Sequence, residues 1–175
     1  TNFFLVDIFF EFCNQPRLFE WNYLHHWNLK YACVDIDGIL CKDPNYLQKI
    51  DVQKYESFLE NANPKIIPTK PIGYLVTSRL EKYRDVTEMW LKKHGVIYDN
   101  LIMRDTVVTS NSPKTFNHGE YKGITYLNTD SFIFIESSYE EAIVICKTSK
   151  KLVYCTENNV LIKPEEIDAH ISILI

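Results

Sequence analysis

Short apolar segments alternate with stretches of helical pattern along most of this chain, and this alternation limits the folds open to it. The apolar runs, rich in strand-forming residues, lie at 31–36, 72–76, 96–103, 132–135 and 151–155. The amphipathic stretches predicted to be helices lie at 46–62, 81–94 and 139–149, and the polar residues 106–123, with two glycines, are predicted to be a loop. Strands that alternate with helices form a parallel sheet covered on both faces. We therefore predict an α/β fold, a Rossmann-like three-layer parallel sheet with helices on both faces.

The composition is that of an ordinary globular chain. Of its 175 residues, 46% are hydrophobic, and the formal net charge is −4. Lys and Arg are scattered and form no basic stripe, so we expect no nucleic-acid partner. The five cysteines are an odd number without a CxxC pair, which argues against a disulfide framework or a zinc site. Reduced thiols of this kind favour a cytoplasmic protein.

The first residues, TNFFLVDIFFEFC, have the pattern of an amphipathic helix. The stretch lacks a basic start and contains Asp7 and Glu11, so we predict neither a signal peptide nor a membrane span, and no membrane partner. Residues 1–30 are predicted to be a helical junction segment packed on a domain of residues 31–175. The same helix could instead contact a partner protein or a second copy of the chain.

Polar residues follow three of the predicted strands at their carboxyl ends. Asp35 and Asp37 follow the first strand, in the stretch CVDIDGIL, Thr77 and Ser78 follow the second, and Glu136 follows the fourth. Ligands of open α/β sheets bind at the carboxyl ends of the strands, so we expect these side chains to share one crevice. Carboxylate oxygens are preferred ligands of Mg²⁺, and an Asp carboxylate can attack phosphorus. The pattern favours a magnesium and phosphate site, although an Asp-Gly turn alone would explain the first acids.

This order of motifs, DxDG at a strand end, then a strand ending in Thr or Ser, then a lysine, then an acidic strand end, resembles the haloacid dehalogenase (HAD) superfamily of phosphohydrolases. The resemblance implies that Asp35 is the nucleophile and Asp37 the general acid and base. It also implies that Thr77 binds the phosphate, with Ser78 beside it, and that Glu136 belongs to a Mg²⁺ site.

Two further residues are assigned beside these motifs. Gly38 lets the chain turn away from the first strand, next to the substrate phosphate. Arg79 can clamp a substrate anion, or it can pair with Glu81 or Asp85.

The sequence offers more than one candidate for the phosphate-binding lysine and leaves the second acid of the fourth motif unassigned. Both Lys114 and Lys122 lie in the region of the phosphate-binding lysine, and we favour Lys122, which follows a polar loop. The fourth motif reads ESS where relatives often have a second acid, and Glu140, four residues after Glu136, is predicted to fill that place. The predicted metal ligands are thus Asp35, Asp37, Glu136 and Glu140.

Longer stretches resemble more specifically the HAD-like half of bacterial proteins that pair a phosphoribosyltransferase domain with a HAD domain. Among them are QPRLFEWNYLHHWNLK, IGYLVTSRLEKYRDVTEMWLKKHG and FIFIESSYEEA, and the resemblance covers roughly residues 15–157. It implies a phosphoribosyltransferase domain or subunit as a partner.

The expected activity is Mg²⁺-dependent hydrolysis of a small-molecule phosphate ester, such as a nucleotide or a phosphosugar. The span from Ile39 to Ile72 is too short for a full cap domain, so we expect a minimal cap or none. The alternative is a catalytically degenerate interaction domain, which the weak ESS motif favours.

Overall fold

The structure, a computed structural model, describes residues 22–105 and 117–173. The predicted N-terminal helix and Lys114 lie outside these ranges. In the described part of the chain, no helix has both the length and the apolar character needed to cross a membrane.

Six strands and six helices follow one another along the described chain. The strands are β1 (Ala32–Val34), β2 (Ile72–Leu80), β3 (Tyr98–Arg104), β4 (Ile133–Glu136), β5 (Leu152–Cys155) and β6 (Val160–Ile162). The helices are α1 (Tyr46–Ile50), α2 (Val52–Asn61), α3 (Arg84–Lys93), α4 (His118–Leu127), α5 (Tyr139–Ser149) and α6 (Ile167–Ile173). Short 3₁₀ turns lie at Trp27–Tyr31, Glu81–Tyr83 and Pro164–Glu166.

The strands form one sheet in the order β3-β2-β1-β4-β5-β6, and only the last pair is antiparallel. The predicted α/β fold with a mostly parallel sheet is confirmed. In the register of the sheet, Val34 lies between Leu75 of β2 and Ile135 of β4. The residues that follow these three positions therefore meet at one edge of the sheet.

The hydrophobic core is divided between the two faces of the sheet, because successive strand side chains point in opposite directions. Val34 and Leu75 pack in a cluster with Trp90 and Leu91 of α3. On the other face, the cluster of α4 and α5 includes Cys33, Phe134, Tyr126 and Cys146. Leu24 and Leu29, before β1, belong to the first cluster.

The polar stretch before β4 is helical, and the prediction of a loop over residues 118–123 was wrong. The side chain of Asn117 accepts a hydrogen bond from the Glu120 amide at 3.0 Å and so caps α4. A Cβ on Gly119 would lie 2.8 Å from the Val144 side chain, and one on Gly123 would lie 2.7 Å from Thr148. These glycines let α4 approach α5 closely.

The other differences from the predicted elements are local. Asp51 divides the predicted helix 46–62 into α1 and α2, and its side chain caps α2 by accepting from the Lys54 amide at 3.0 Å. The C-terminal β6 and α6 were not predicted, since both are short.

Candidate active site

The carboxyl ends of β1, β2 and β4 border a pocket of about 560 Å³. Five of the residues predicted for the site line it: Asp35, Asp37, Ser78, Lys122 and Glu136. The sheet order explains this convergence, since β2 and β4 are the two neighbours of β1.

Lys122, on the buried face of α4, lies at the centre of the acidic residues. Its Nζ donates to Asp35 Oδ2 at 2.6 Å, to Glu136 Oε2 at 2.8 Å and to Glu141 Oε2 at 2.8 Å. Lys122, Asp35 and Glu136 are buried. One ammonium thus faces three carboxylates, and the structure brings the favoured lysine to the predicted acids.

Backbone amides hold the remaining carboxylate oxygens of the two buried acids. Asp35 Oδ1 accepts from the Ile36 amide at 2.7 Å. Glu136 Oε1 accepts from the amides of Ser137 and Ser138 at 2.7 and 3.1 Å. In the ESS motif, the two serines therefore fix the carboxylate of Glu136.

The buried acids and the lysine have strongly shifted protonation equilibria. Burial raises the pKa of Asp35 well above its usual range; Lys122 opposes this shift, and the negative charge of Glu136 adds to it. Burial likewise raises the pKa of Glu136, again against Lys122. Burial alone would lower the pKa of Lys122, but the charges of Asp35 and Glu136 outweigh it and raise that pKa. Shifts of this kind, caused by burial together with close charges, are typical of functional sites.

Asp37 is hydrogen-bonded by Arg79 and not by Lys122. The buried guanidinium donates to both carboxylate oxygens, at 3.0 and 2.7 Å, and also to Thr87 Oγ1 at 3.3 Å. Burial would raise the pKa of Asp37, but the charge and hydrogen bonds of Arg79 outweigh it and hold that pKa below its usual value. The sequence suggests Glu81 or Asp85 as the partner of Arg79. Neither pairs with it, since the carboxylate partner of Arg79 is Asp37.

The two hydroxyl residues at the end of β2 have different positions. Thr77 is buried, and its Oγ1 accepts from the Arg79 amide at 3.3 Å. Ser78 lines the pocket, and its buried Oγ has no hydrogen-bond partner among the described residues. Because an unpaired buried hydroxyl is unfavourable, Ser78 is well placed to bind a ligand oxygen.

Gly38 forms the turn after β1 with a left-handed backbone, at φ +79°. A Cβ at this position would lie 2.1 Å from Ser137 Oγ. The Gly38 carbonyl accepts from Lys65 Nζ at 2.6 Å, and the Asp37 carbonyl accepts from Ser137 Oγ at 3.3 Å. The turn is therefore packed directly against the ESS segment.

The structure adds an acid that the sequence interpretation missed. Glu140 is exposed and does not line the pocket, whereas Glu141 lines it and contacts Lys122. A serine followed three residues later by glutamate is typical of a helix start. Ser138 does cap α5 through the Glu141 amide, so this pattern could have placed Glu141 in the first turn, beside the end of β4.

The donor set of the site fits Mg²⁺ in kind. The carboxylates of Asp35 and Glu136 and the carbonyl of Asp37 are hard oxygens, and Mg²⁺ commonly takes one or two carboxylates together with waters and substrate phosphate. Within residues 22–105 and 117–173, no three His, Cys, Asp or Glu side chains form a ready ligand set.

Comparison with known proteins gives no relative for this chain, since no protein family, curated protein or solved structure matches it. Its function therefore has to be inferred from its residues and their geometry.

Proposed function

We propose that the chain is a Mg²⁺-dependent phosphomonoester hydrolase of the HAD type, with Asp35 as the nucleophile. The observation that carries the proposal is the contact of Lys122 with Asp35 and Glu136, at the ends of two neighbouring parallel strands and beside one pocket. Burying two carboxylates beside a third around a single ammonium is unfavourable for folding, so a functional reason for the arrangement is expected.

The substrate phosphate would lie between Lys122 and the end of β2. The ammonium of Lys122 stabilises the negative charge of the transferring phosphoryl group. Ser78 Oγ, which has no hydrogen-bond partner within the described part of the chain, donates to a phosphate oxygen, and Thr77 supports this strand end. Gly38 lets the turn after β1 pack against Ser137, where a side chain would collide.

The chemistry has two halves. A carboxylate oxygen of Asp35 forms a bond to phosphorus while the bond from phosphorus to the leaving oxygen breaks, and Asp37 gives a proton to that oxygen. Asp37 then takes a proton from a water molecule that attacks the phosphorus of the aspartyl-phosphate. The products are an alcohol and inorganic phosphate, and Asp35 is regenerated.

The ion pair between Asp37 and Arg79 favours the second half of the reaction, in which Asp37 acts as a base. A lowered pKa keeps Asp37 ionised, which suits the base that activates water. To act as the acid, Asp37 must be protonated, so its bond to Arg79 has to loosen when substrate enters.

Mg²⁺ would be held by Asp35, the Asp37 carbonyl and Glu136, together with an acid from the start of α5, for which Glu140 was predicted and Glu141 is the nearer candidate. When bound, the metal supplies positive charge next to the transferring phosphoryl group.

Only α1 and α2 lie between β1 and β2, which supports a minimal cap and an open site. An open site suits a substrate handed over by a neighbouring domain, and the resemblance suggests a phosphoribosyltransferase for this role.

Hydrolysis of p-nitrophenyl phosphate with Mg²⁺ tests the proposal. We expect phosphate release by the unaltered chain, none by Asp35→Asn, and unchanged release by Asp85→Asn, a matched control on the exposed side of α3. A crystal grown with Mg²⁺ and fluoroberyllate should show density joined to Asp35. Equal activity of Asp35→Asn and the unaltered chain would contradict the proposed nucleophile.

A degenerate interaction domain is the second candidate. The observation that favours it is that Arg79 and Lys122 already neutralise the acids internally, so the site is stable without a ligand. Absence of activity on a broad set of phosphomonoesters, together with no Mg²⁺ binding, would support this candidate.

A further inference from the structure

Part of the pocket wall is apolar and partly aromatic. It is formed by α1, α2 and the 3₁₀ turn after β2, through Ile50, Val52, Tyr55, Leu80 and Tyr83. The rings of Tyr55 and Tyr83 meet edge to face, with centroids 5.3 Å apart, which fixes their orientation. The Lys122 cluster and this apolar wall thus line the same pocket.

Two residues of this wall are unusually exposed for their type. Ile50 and Val52 leave 61% and 60% of their surface open to solvent. Large apolar side chains grouped at the mouth of a pocket mark a surface that a ligand or partner covers. A phosphosugar, which is polar on all sides, would gain little from this wall.

Two lysines add positive charge to the same pocket. Lys49 and Lys82 both line it and both are exposed. Among the described residues neither forms an ion pair, and Lys82 Nζ lies 4.6 Å from the ring centroid of Tyr83. Since Lys122 is assigned to the reacting phosphate, these lysines are available for a second anionic group of a ligand.

We propose that the substrate is a phosphomonoester whose leaving group carries an aromatic ring and a second anionic group, as in a nucleoside bisphosphate. The ring packs against Ile50, Val52 and Tyr55, while Lys49 and Lys82 bind the second anion. This inference rests on the proposed hydrolase function and narrows its substrate class. The pocket volume of about 560 Å³ is within the usual range for sites of small organic ligands.

Three compounds separate the two features of the leaving group. Ribose 5-phosphate and adenosine 5′-monophosphate share the same ester and differ by the aromatic ring, and adenosine 3′,5′-bisphosphate adds the second anion. We expect kcat/KM for phosphate release to rise by about tenfold or more at each step. Equal values for ribose 5-phosphate and adenosine 5′-monophosphate would overturn the role of the aromatic ring, and equal values for the two nucleotides would overturn that of the second anion.

Paired variants locate the two contacts. The double variant Ile50→Ser, Val52→Ser should lower the preference for adenosine 5′-monophosphate over ribose 5-phosphate by about tenfold, because it removes apolar contact with the ring. Leu47→Ser is the matched control, since Leu47 is 58% exposed on α1 but does not line this pocket. An equal effect of the control would overturn the assignment of the wall.

The lysines are tested in the same manner. The double variant Lys49→Ala, Lys82→Ala should remove the preference for adenosine 3′,5′-bisphosphate over adenosine 5′-monophosphate, measured as the ratio of their kcat/KM values. Lys54→Ala is the control, since Lys54 lies on α2 outside this pocket and pairs with Asp51. A bisphosphate preference that survives loss of both lysines would overturn their role.

Calorimetric binding of adenosine 3′,5′-bisphosphate to the same proteins separates this inference from the hydrolase proposal. Hydrolysis of all three compounds at equal rates would overturn the substrate class and leave the hydrolase proposal standing. Binding that is lost in the lysine double variant, without hydrolysis of any compound, would support the ligand class and count against the hydrolase.

Discussion

Arg79 donates a hydrogen bond to each carboxylate oxygen of Asp37, from Nε at 3.0 Å and from a terminal nitrogen at 2.7 Å. The guanidinium is fully buried, whereas the Asp37 side chain is partly exposed at the pocket. The planar fork of arginine matches a carboxylate in this two-point geometry. The pair joins the end of β2 to the turn after β1 and fixes the carboxylate that the proposed mechanism uses for proton transfer.

Replacing Arg79 with Gln should destabilise the fold strongly. Removing one partner of a largely buried ion pair costs about 3–5 kcal/mol, because the other charge loses its compensation. Arg84→Gln is the matched control, since Arg84 pairs with Glu81 and Glu88 at the surface and should cost less than about 1 kcal/mol. Urea unfolding at neutral pH measures both. Equal losses would contradict a special role for the buried pair.

The stability that Arg79 provides should depend on pH through Asp37. Its pKa is lowered in the folded chain, so the stabilisation is present above the ordinary value of about 3.9 and is lost as pH falls through the folded pKa. In Arg79→Gln, burial raises the Asp37 pKa with no cation to oppose it, so the folded variant binds a proton that the unfolded chain releases above about pH 4. The difference in unfolding free energy between the unaltered chain and Arg79→Gln should therefore be largest at about pH 7 and narrow as pH falls to about 4 and below. Urea titrations across this range check the sign, and a difference that grows as pH falls would contradict it.

Gly38 and Gly95 offer a matched test of the packing around the DxDG turn. Both have left-handed backbones, at φ +79° and +70°, but only at Gly38 would a Cβ collide with another residue, Ser137. Gly95→Ala should therefore cost only backbone strain, about 1–2 kcal/mol. Gly38→Ala should cost more, and it should also abolish phosphate release because Ser137 has to move. Thermal unfolding and the p-nitrophenyl phosphate assay give the two readouts, and similar behaviour of the variants would show that the contact is unimportant.

The part of the site that depends on topology could be predicted from the sequence. Asp35 and Glu136 each follow a short apolar run, and parallel strands place their carboxyl ends at one edge whatever the detailed packing. The order of the runs along the chain is sufficient for this conclusion. Lys122 was also predicted, from its position alone, although the helix that carries it was interpreted as a loop.

The part that depends on side-chain direction could not be predicted. Neighbouring residues on a helix point about 100° apart, so the choice between Glu140 and Glu141 depends on which side of α5 faces the sheet. The apolar residues of α5 include Ala142, Ile143 and Ile145, which do not define a narrow stripe. The partner of Arg79 was missed for a similar reason, because Asp37 is distant in sequence and the nearer acids Glu81 and Asp85 were considered instead.

Glu140 and Glu141 provide a direct comparison of the two candidate acids. Glu141 contacts Lys122 at 2.8 Å, whereas Glu140 is exposed. We expect Glu141→Gln to raise the Mg²⁺ concentration that gives half-maximal phosphate release by about tenfold, as loss of an acid next to a metal site commonly does. Glu140→Gln should change it by less than about twofold, since its charge lies in solvent. A titration of activity against Mg²⁺ compares them, and the reverse pattern would favour Glu140 as the ligand.

Lys122 should be essential for stability at neutral pH and less so in acid. Lys122→Met keeps much of the apolar stem but leaves three carboxylates without their cation, which should cost about 3–5 kcal/mol at pH 7. Without the ammonium, the pKa values of Asp35 and Glu136 rise further than in the unaltered chain, so the folded variant binds protons that the unfolded chain releases above about pH 4. The loss of unfolding free energy relative to the unaltered chain should therefore shrink as pH falls from 7 to 5.

The control is Lys147→Met, which replaces an exposed lysine on α5. Its unfolding free energy should stay within about 0.5 kcal/mol of that of the unaltered chain. Urea unfolding of the three proteins at both pH values provides the measurement, and a deficit that grows in acid would contradict the raised pKa values of the buried acids.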